Sequence, residues 1–443
     1  MASFTVDDDR TINNRGVYSY IAAGQVYHKF NIAAHPTQNS EGIFERSQYG
    51  QLYFLDNEDA VNEHSNNSIN HGISRDLLNL LEKVLRSVNP FVRGFMMMRE
   101  VEDEINARAI AEGEEPPYVK LLFAIPDATD PKRFDIPQQN EVCAVVTLNA
   151  DQSFPENELT IRQRGKSVRT MKNIDKRVEP FTYPLFYPKG TFGFSVGLPL
   201  KTPYASRQHL TRLELAQYRL AFRSEVATHI SSGHFGGRLF QQYLVDTYIR
   251  VEQERIQWIK NNQKTLLSEN YTGVNQFLSN LAEKKNAVVG EKIILPSSFP
   301  GSTRYYTEHF EDAMALVRRF GAPDFFITMT CNPEWPELKE AARIEFGDGT
   351  CLEQLAQDRP DLMARIAKLK FNELIDDLVK KQIFGKTAAF VYTIEFQKRG
   401  LPHMHLLVIM SSTDKIRNAE ELDDLISAEI PNNDDPELRK LDY

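Results

Sequence analysis

The sequence predicts an α+β protein whose C-terminal third is an antiparallel sheet flanked by helices. Three observations carry that prediction. Residues 324–330 (DFFITMT) read as a strand. Residues 360–381 read as a long helix, with Leu362, Ile366 and Leu369 and then Phe371, Leu374 and Leu378 at spacings of three and four. Residues 390–396 (FVYTIEF) and 403–410 (HMHLLVIM) read as two buried strands joined by a polar turn, Gln397-Lys398-Arg399-Gly400-Leu401-Pro402. The order helix, strand, loop, helix, strand, strand suits an antiparallel sheet with helices on one side.

The preceding chain divides by pattern. Residues 17–60 hold short aromatic segments between Gly, Pro and Asn breaks and read as strands. Leucines at helical spacing predict a helix over 76–88, and a second helix is expected over 95–111, ended by the acidic, proline-bearing EGEEPP at 112–117. Candidate strands follow at 118–126 and 141–148, so residues 1–150 form a smaller α+β unit. Residues 151–205 are a basic and proline-aromatic connector. Its 161–177 stretch carries Arg162, Arg164, Lys166, Arg169, Lys172, Lys176 and Arg177 against one acid, Asp175. A polyanion would need such a strip, although a solvated loop has the same charge pattern. Residues 206–300 are a helical segment interrupted by a glycine break at 232–237. The final segment, 301–443, opens with a helix over 307–320, whose acids precede its Arg318 and Arg319 and which Gly321 terminates. The proline-stiffened loop 331–338 then follows the first strand of the sheet.

At 443 residues, with 41% apolar and 26% charged side chains, the composition is that of a globular protein with room for two or three domains. A net charge of −9 excludes a uniformly basic surface and leaves room for a local basic groove. Cys143, Cys331 and Cys351 are widely spaced and odd in number, which supports neither a disulfide framework nor a cysteine zinc cluster and makes an intracellular compartment the expectation. No apolar run approaches the roughly 20 residues that span a bilayer, and the first ten residues lack the apolar core of a signal peptide.

The chemistry concentrates in the C-terminal hairpin. His403 and His405 are two apart in a strand, so both imidazoles project from one face, separated by what reads as an outward-pointing Met404. Glu395 and Gln397 share a facial set on the first strand, close to the turn. A carboxylate and two imidazoles with open positions could hold a divalent cation as a Lewis acid. Alone, a His-x-His pair is unspecific; the acid and the glycine-proline turn in the same hairpin give it weight.

Two nucleotide motifs fail on inspection. Gly385-Lys386-Thr387 resembles the end of a phosphate-binding loop, but its first glycine position holds Lys380 and the segment follows a helix, so no ATP site is expected. Gly233-His-Phe-Gly-Gly lacks the strand-to-helix context of a dinucleotide fingerprint. A histidine-triad hydrolase needs a third histidine where Leu407 stands.

The run EFQKRGLPHMHLLV (395–408) closely resembles the second Rep motif of Helitron transposases, members of the HUH endonucleases. DFFITMTCNPEWPEL resembles the first Rep motif, LPSSFPGSTRYY the segment ahead of it, and GGRLFQQYLVDTYIRVEQERIQWIKNNQ the helical part of the Helitron helicase-like N-terminal region. YPLFYPKGTFGF and AAGQVYHKF are similar to looser upstream signatures. The resemblance implies an HUH core, a central antiparallel sheet flanked by helices, and a rolling-circle nuclease and strand transferase acting on single-stranded DNA of transposon ends in the nucleus. It implies Mg²⁺ or Mn²⁺ held by His403, His405 and Glu395, with Gln397 the alternative ligand or phosphate contact. The E-x₄-G-x-P-H-x-H spacing, similar to that of viral replication initiators, favours Glu395. Lys398 and Arg399 in the turn join the basic strip as candidate DNA contacts.

The sequence departs from that pattern at the nucleophile. The family's two tyrosines lie one helical turn apart, well downstream of the histidines, but only 38 residues follow His405 and Tyr443 is solitary there. Tyr49/Tyr53 and Tyr183/Tyr187 precede the metal motif in non-helical contexts, and Tyr305 and Tyr306 are adjacent. A downstream helicase and a cysteine- and histidine-rich leading region are also unrepresented. The expectation is a piece of a transposase that lacks its tyrosine nucleophiles; the alternative is a non-catalytic DNA-binding relic or a domesticated interaction protein.

Overall fold

The computed structural model describes residues 2–8, 22–31, 57–66, 72–113, 118–122, 144–148, 160–162, 168–170, 172–204, 207–221, 232–263, 294–345, 351–397, 400–423 and 425–426. They are a mixture of helices and small antiparallel sheets, the α+β class. The described residues divide into two compact units, one ending at Val251 and the other beginning at Glu252.

In the N-terminal unit, β1 (Ala2–Asp8), β2 (Ala22–Asn31) and β6 (Val168–Thr170) form one antiparallel sheet in the order β1-β2-β6. The strands β3 (Tyr118–Leu122), β4 (Ala144–Leu148) and β5 (Thr160–Arg162) form another in the order β4-β3-β5. Two parts of the basic 161–177 stretch therefore lie in strands. Helices α1 (Asn57–Asn66), α2 (Arg75–Val88) and α3 (Pro90–Glu112) lie between the sheets in sequence. The predicted 95–111 helix starts earlier, because Asn89 caps it by accepting from the Phe91 and Val92 amides and Pro90 takes the first position, where an N–H is dispensable. The helix α1 was not foreseen, and the aromatic run 49–55 lies outside the described residues.

The 183–190 segment follows α4 (Val178–Thr182) and buries Tyr183, Phe186 and Tyr187 against Phe240 and Tyr243 of α6 (Arg238–Asn261). The Tyr187 and Tyr243 hydroxyls hydrogen-bond at 2.7 Å, satisfying two buried polar groups at once. Between them in sequence come a two-stranded ribbon, β7 (Pro199–Tyr204) with β8 (Arg207–His209), and α5 (Arg212–Leu220), whose Thr211 and Glu214 form a reciprocal capping box. The buried Glu179 of α4 accepts Arg250 at 3.0 Å and has Arg212 and Arg219 within 3.9 Å. A Cβ on Gly193 would collide with that carboxylate, so only glycine lets the loop pass over the ion cluster.

The C-terminal unit carries α7 (Thr303–Phe320), β9 (Phe325–Thr330), α8 (Pro336–Ala342), the ribbon β10 (Arg343–Glu345) with β11 (Cys351–Glu353), α9 (Pro360–Val379), β12 (Thr387–Phe396), β13 (Pro402–Met410) and α10 (Ala419–Asp423). Its three-stranded sheet runs β12-β13-β9, antiparallel throughout. Helices α8 and α9 cover one face, where Leu338, Ala367 and Phe371 meet Met404, Leu406 and Val408. Two readings need correction. The loop predicted over 331–338 gives way to α8 at Pro336, which sits at a helix start. The predicted pair of buried strands is one buried strand, β13, and one, β12, whose residues 392–396 are exposed because it lies at the sheet's edge.

The Gly385-Lys386-Thr387 segment leads into β12. Gly385 has φ +99° and the Lys386 amide donates to the Asp414 carboxylate at 2.6 Å.

Candidate metal centre

The register of the three strands builds the site. Glu395 pairs with His403 across β12 and β13, and His403 pairs with Thr330 across β13 and β9. Thr393, His405 and Thr328 form the next rung. Since side chains alternate along a strand, Glu395, His403, His405, Thr330 and Thr328 belong to one face and Met404 to the other. Met404 is fully buried among the helices, so it points inward, opposite to the orientation expected from sequence. Leu401 and Pro402 lead into β13, and Gly400 (φ +76°) supplies the left-handed residue that closes the turn, donating to the Gln397 carbonyl at 2.7 Å.

One ligand atom from each of Glu395, His403 and His405 lies within 4.8 Å of the others. Nε2 of His405 is 3.1 Å from Oε1 of Glu395. Nδ1 of His403 is 2.7 Å from the Thr330 hydroxyl, which fixes that ring and leaves its Nε2 edge as the ligating one. His403 is buried, His405 is about one-third exposed and Glu395 lies at the edge, 60% exposed. The set therefore has a fixed inner ligand and an open outer side.

These residues fit a divalent ion. Oxygen and nitrogen donors adjacent on a common ion with bonds near 2.1 Å lie about 3 Å apart, so His405 and Glu395 already stand at that separation and the widest pair needs to close by up to about 2 Å. Nδ1 of His405 is buried and, among the described residues, has no hydrogen-bond partner. Two imidazoles and one carboxylate on one side leave the remaining positions to water or substrate oxygens.

Sequence reasoning missed two neighbours. Thr330 is separated from His403 by 73 residues, and only the strand register brings them together. Phe326, 64% exposed, stacks on His405 with ring planes 8° apart. The signal for it was the alternation in DFFITMT, which puts Phe326, Thr328 and Thr330 on one face.

The other candidate residues stand elsewhere. Gln397 is exposed just beyond β12, and its backbone amide donates to the Leu401 carbonyl. Lys398 and Arg399 lie outside the described residues, as do Arg164 and Lys166. Arg162 is in β5 and Arg169 in β6; Lys172 is exposed. Lys176 is half-buried over the Phe192 ring, and burial followed by the Arg177 charge lowers its pKa. Arg177 is buried and forked onto Asp175, so the strip is not one continuous solvated surface. Among the tyrosines, Tyr183 and Tyr187 are core residues, while Tyr49, Tyr53 and Tyr443 lie outside the described residues. Tyr392 belongs to the face of β12 opposite Glu395.

Residues 215–408, from α5 through most of β13, match the family model described as the Helitron helicase-like domain at N-terminus. They form a Helitron helicase-like domain. The chain is thereby related to the Helitron transposases, and the match ends inside the strand that carries both histidines. The Helitron-like stretch takes in DFFITMTCNPEWPEL and LPSSFPGSTRYY, while YPLFYPKGTFGF and AAGQVYHKF precede it. No curated protein matches the chain. Among the described residues, no helix is long and apolar enough to cross a membrane.

Proposed function

We propose that this protein is the metal-binding nuclease module of a rolling-circle transposase, with an HUH-type core that acts on single-stranded DNA. The reading rests on one observation: Glu395, His403 and His405 converge on one face of an antiparallel sheet within a Helitron-like domain. His403, His405 and Glu395 hold Mg²⁺ or Mn²⁺, which when bound polarises the oxygens of the scissile phosphate. Thr330 holds the His403 ring in the ligating orientation, and Phe326 packs flat against His405 and limits its rotation. Lys398 and Arg399, in the turn that follows Glu395, neutralise the adjoining phosphates of the strand.

The attack on phosphorus needs a tyrosine hydroxyl, and among the described residues Tyr183, Tyr187, Tyr305, Tyr306 and Tyr392 do not supply it. Tyr183 and Tyr187 are packed in the core of the other unit, and Tyr392 belongs to the wrong face of the sheet. Adjacent Tyr305 and Tyr306 on α7 have rings 79° apart, unlike a pair one turn apart on one helix face. We therefore assign this chain metal binding and strand binding without formation of the phosphotyrosine.

The test uses a radiolabelled single-stranded oligonucleotide and Mn²⁺. The expected result is a Mn²⁺-dependent gain in strand binding that His403→Ala abolishes, with no covalent protein–DNA adduct on a denaturing gel. An adduct would overturn the assignment of a missing nucleophile. Strand binding equal in His403→Ala and the parent would overturn the role of the metal.

A further inference from the structure

A cavity of about 300 Å³ opens in the N-terminal unit between the 186–191 segment, α5 and the start of α6. Its volume is at the lower end for small-molecule sites. Its inner wall is aromatic: Phe186 meets Tyr243 edge to face, with centroids 5.6 Å apart, and Tyr187 joins them through its hydroxyl. Tyr218, 56% exposed, stands at the lining's outer side. A neighbouring hollow of about 450 Å³ shares Lys189 and Arg219 with the cavity and adds Lys176 and Phe192.

Charge distinguishes this pair of hollows from an ordinary packing defect. Among the described residues, three cationic residues line them and no acidic residue does, the nearest acid being Glu179, 3.9 Å behind Arg219, in a chain whose formal net charge is −9. Arg219 is preset: it donates to the Tyr187 hydroxyl at 3.0 Å and to the Phe192 carbonyl at 2.9 Å, and its guanidinium lies over the Tyr187 ring. Lys189 and Thr191 on the rim are exposed. Flat apolar faces beside clustered cations suit a ligand that is aromatic at one end and anionic at the other.

We propose that the two hollows bind one unpaired nucleotide of a nucleic-acid strand, the base among Phe186, Tyr187, Tyr218 and Tyr243 and the phosphate against Lys176, Lys189 and Arg219. A base inside a duplex cannot enter, because its faces are already stacked; an unpaired base is free to do so. The exposed rim lets the sugar-phosphate chain leave the pocket into solvent. The pocket belongs to a different unit from the histidine hairpin and needs no metal, so it stands or falls separately from the proposed nuclease site.

The test is fluorescence anisotropy with a labelled oligothymidylate in EDTA, which removes any metal-dependent binding. Tyr218→Ala and Lys189→Glu change exposed side chains, and each is expected to weaken binding about tenfold, the scale of one lost stacking contact. Lys201→Glu, exposed on β7 outside both hollows, is expected to leave the affinity unchanged. An abasic strand of equal length is expected to bind as weakly as Tyr218→Ala does. Equal binding of abasic and thymidylate strands would overturn the proposal, as would a Lys201→Glu loss matching that of Lys189→Glu. If thymidine monophosphate competes as well as the strand, the site takes free nucleotides and the assignment to a strand is overturned.

Discussion

His403 is held by a residue that no local pattern connects to it. The Thr330 hydroxyl lies 2.7 Å from its Nδ1, an outer contact that sets which ring nitrogen faces the ligand position. Thr330→Val keeps the shape and removes the bond, and it is expected to weaken Mn²⁺ binding by about 10- to 100-fold in calorimetry, with an unchanged circular dichroism spectrum. The histidines themselves were legible, because a period of two forces residues 403 and 405 onto one face. Which face was not: in HMHLLVIM almost every residue is apolar, so alternation could not show that Met404 rather than the histidines turns inward. The residue just after β9 makes a second check on this packing. Cys331 is 1% exposed, and burial pushes its thiol up to about 11 from 9.0. Iodoacetamide at pH 8 is expected to label the exposed Cys351 and leave Cys331 unmodified until the protein is unfolded, as peptide mass spectrometry will show. Because the folded pKa is the higher one, the stability contributed by the neutral thiol is present below about pH 9 and is lost as the pH rises towards 11.

Among the elements, β13 carries both the chemistry and the core. Its histidine face forms the site while Met404, Leu406 and Val408 pack under α8 and α9. Met404→Ala is expected to cost about 2–5 kcal/mol in urea unfolding followed by the fluorescence of Trp335, which packs against the same cluster. A smaller loss would mean that α9 collapses onto the vacated space. The long periodic elements were legible: α2, α9 and the hairpin follow their apolar spacing to within a few residues. The misses have physical causes. Pro336 reads as a loop residue but serves equally at the first position of a helix, where its missing N–H costs nothing. The helix α7 begins at Thr303 because Ser302 caps it through the Tyr305 amide, a start that the acidic residues further along concealed. The basic 161–177 stretch looked uniform because charge is counted by sequence, whereas Arg177 is folded onto Asp175 and Lys176 onto Phe192. That β12 is an edge strand, which leaves Glu395 exposed, depends on which strands pair, and a single sequence does not encode that locally.

At the scale of the molecule, the Helitron-like stretch runs from α5 into β13 and joins the helical region to the hairpin. The order of the motifs was readable, since each lies on one element. The distances within the site were not, since they arise from three strands whose ligating and supporting residues are up to 79 positions apart, Phe326 and His405. The pair Glu395 and His403 is the exception, because a short hairpin with Gly400 in its turn fixes their register. The account as a whole depends on whether that register makes a metal site. The most direct test is a Mn²⁺ titration of the full-length chain, read by calorimetry and by the electron paramagnetic resonance of free Mn²⁺, alongside His403→Ala, His405→Ala and Glu395→Ala. The account predicts one Mn²⁺ per parent chain, no binding by either histidine variant, and weakened binding by Glu395→Ala. Undiminished binding by folded His403→Ala would contradict it.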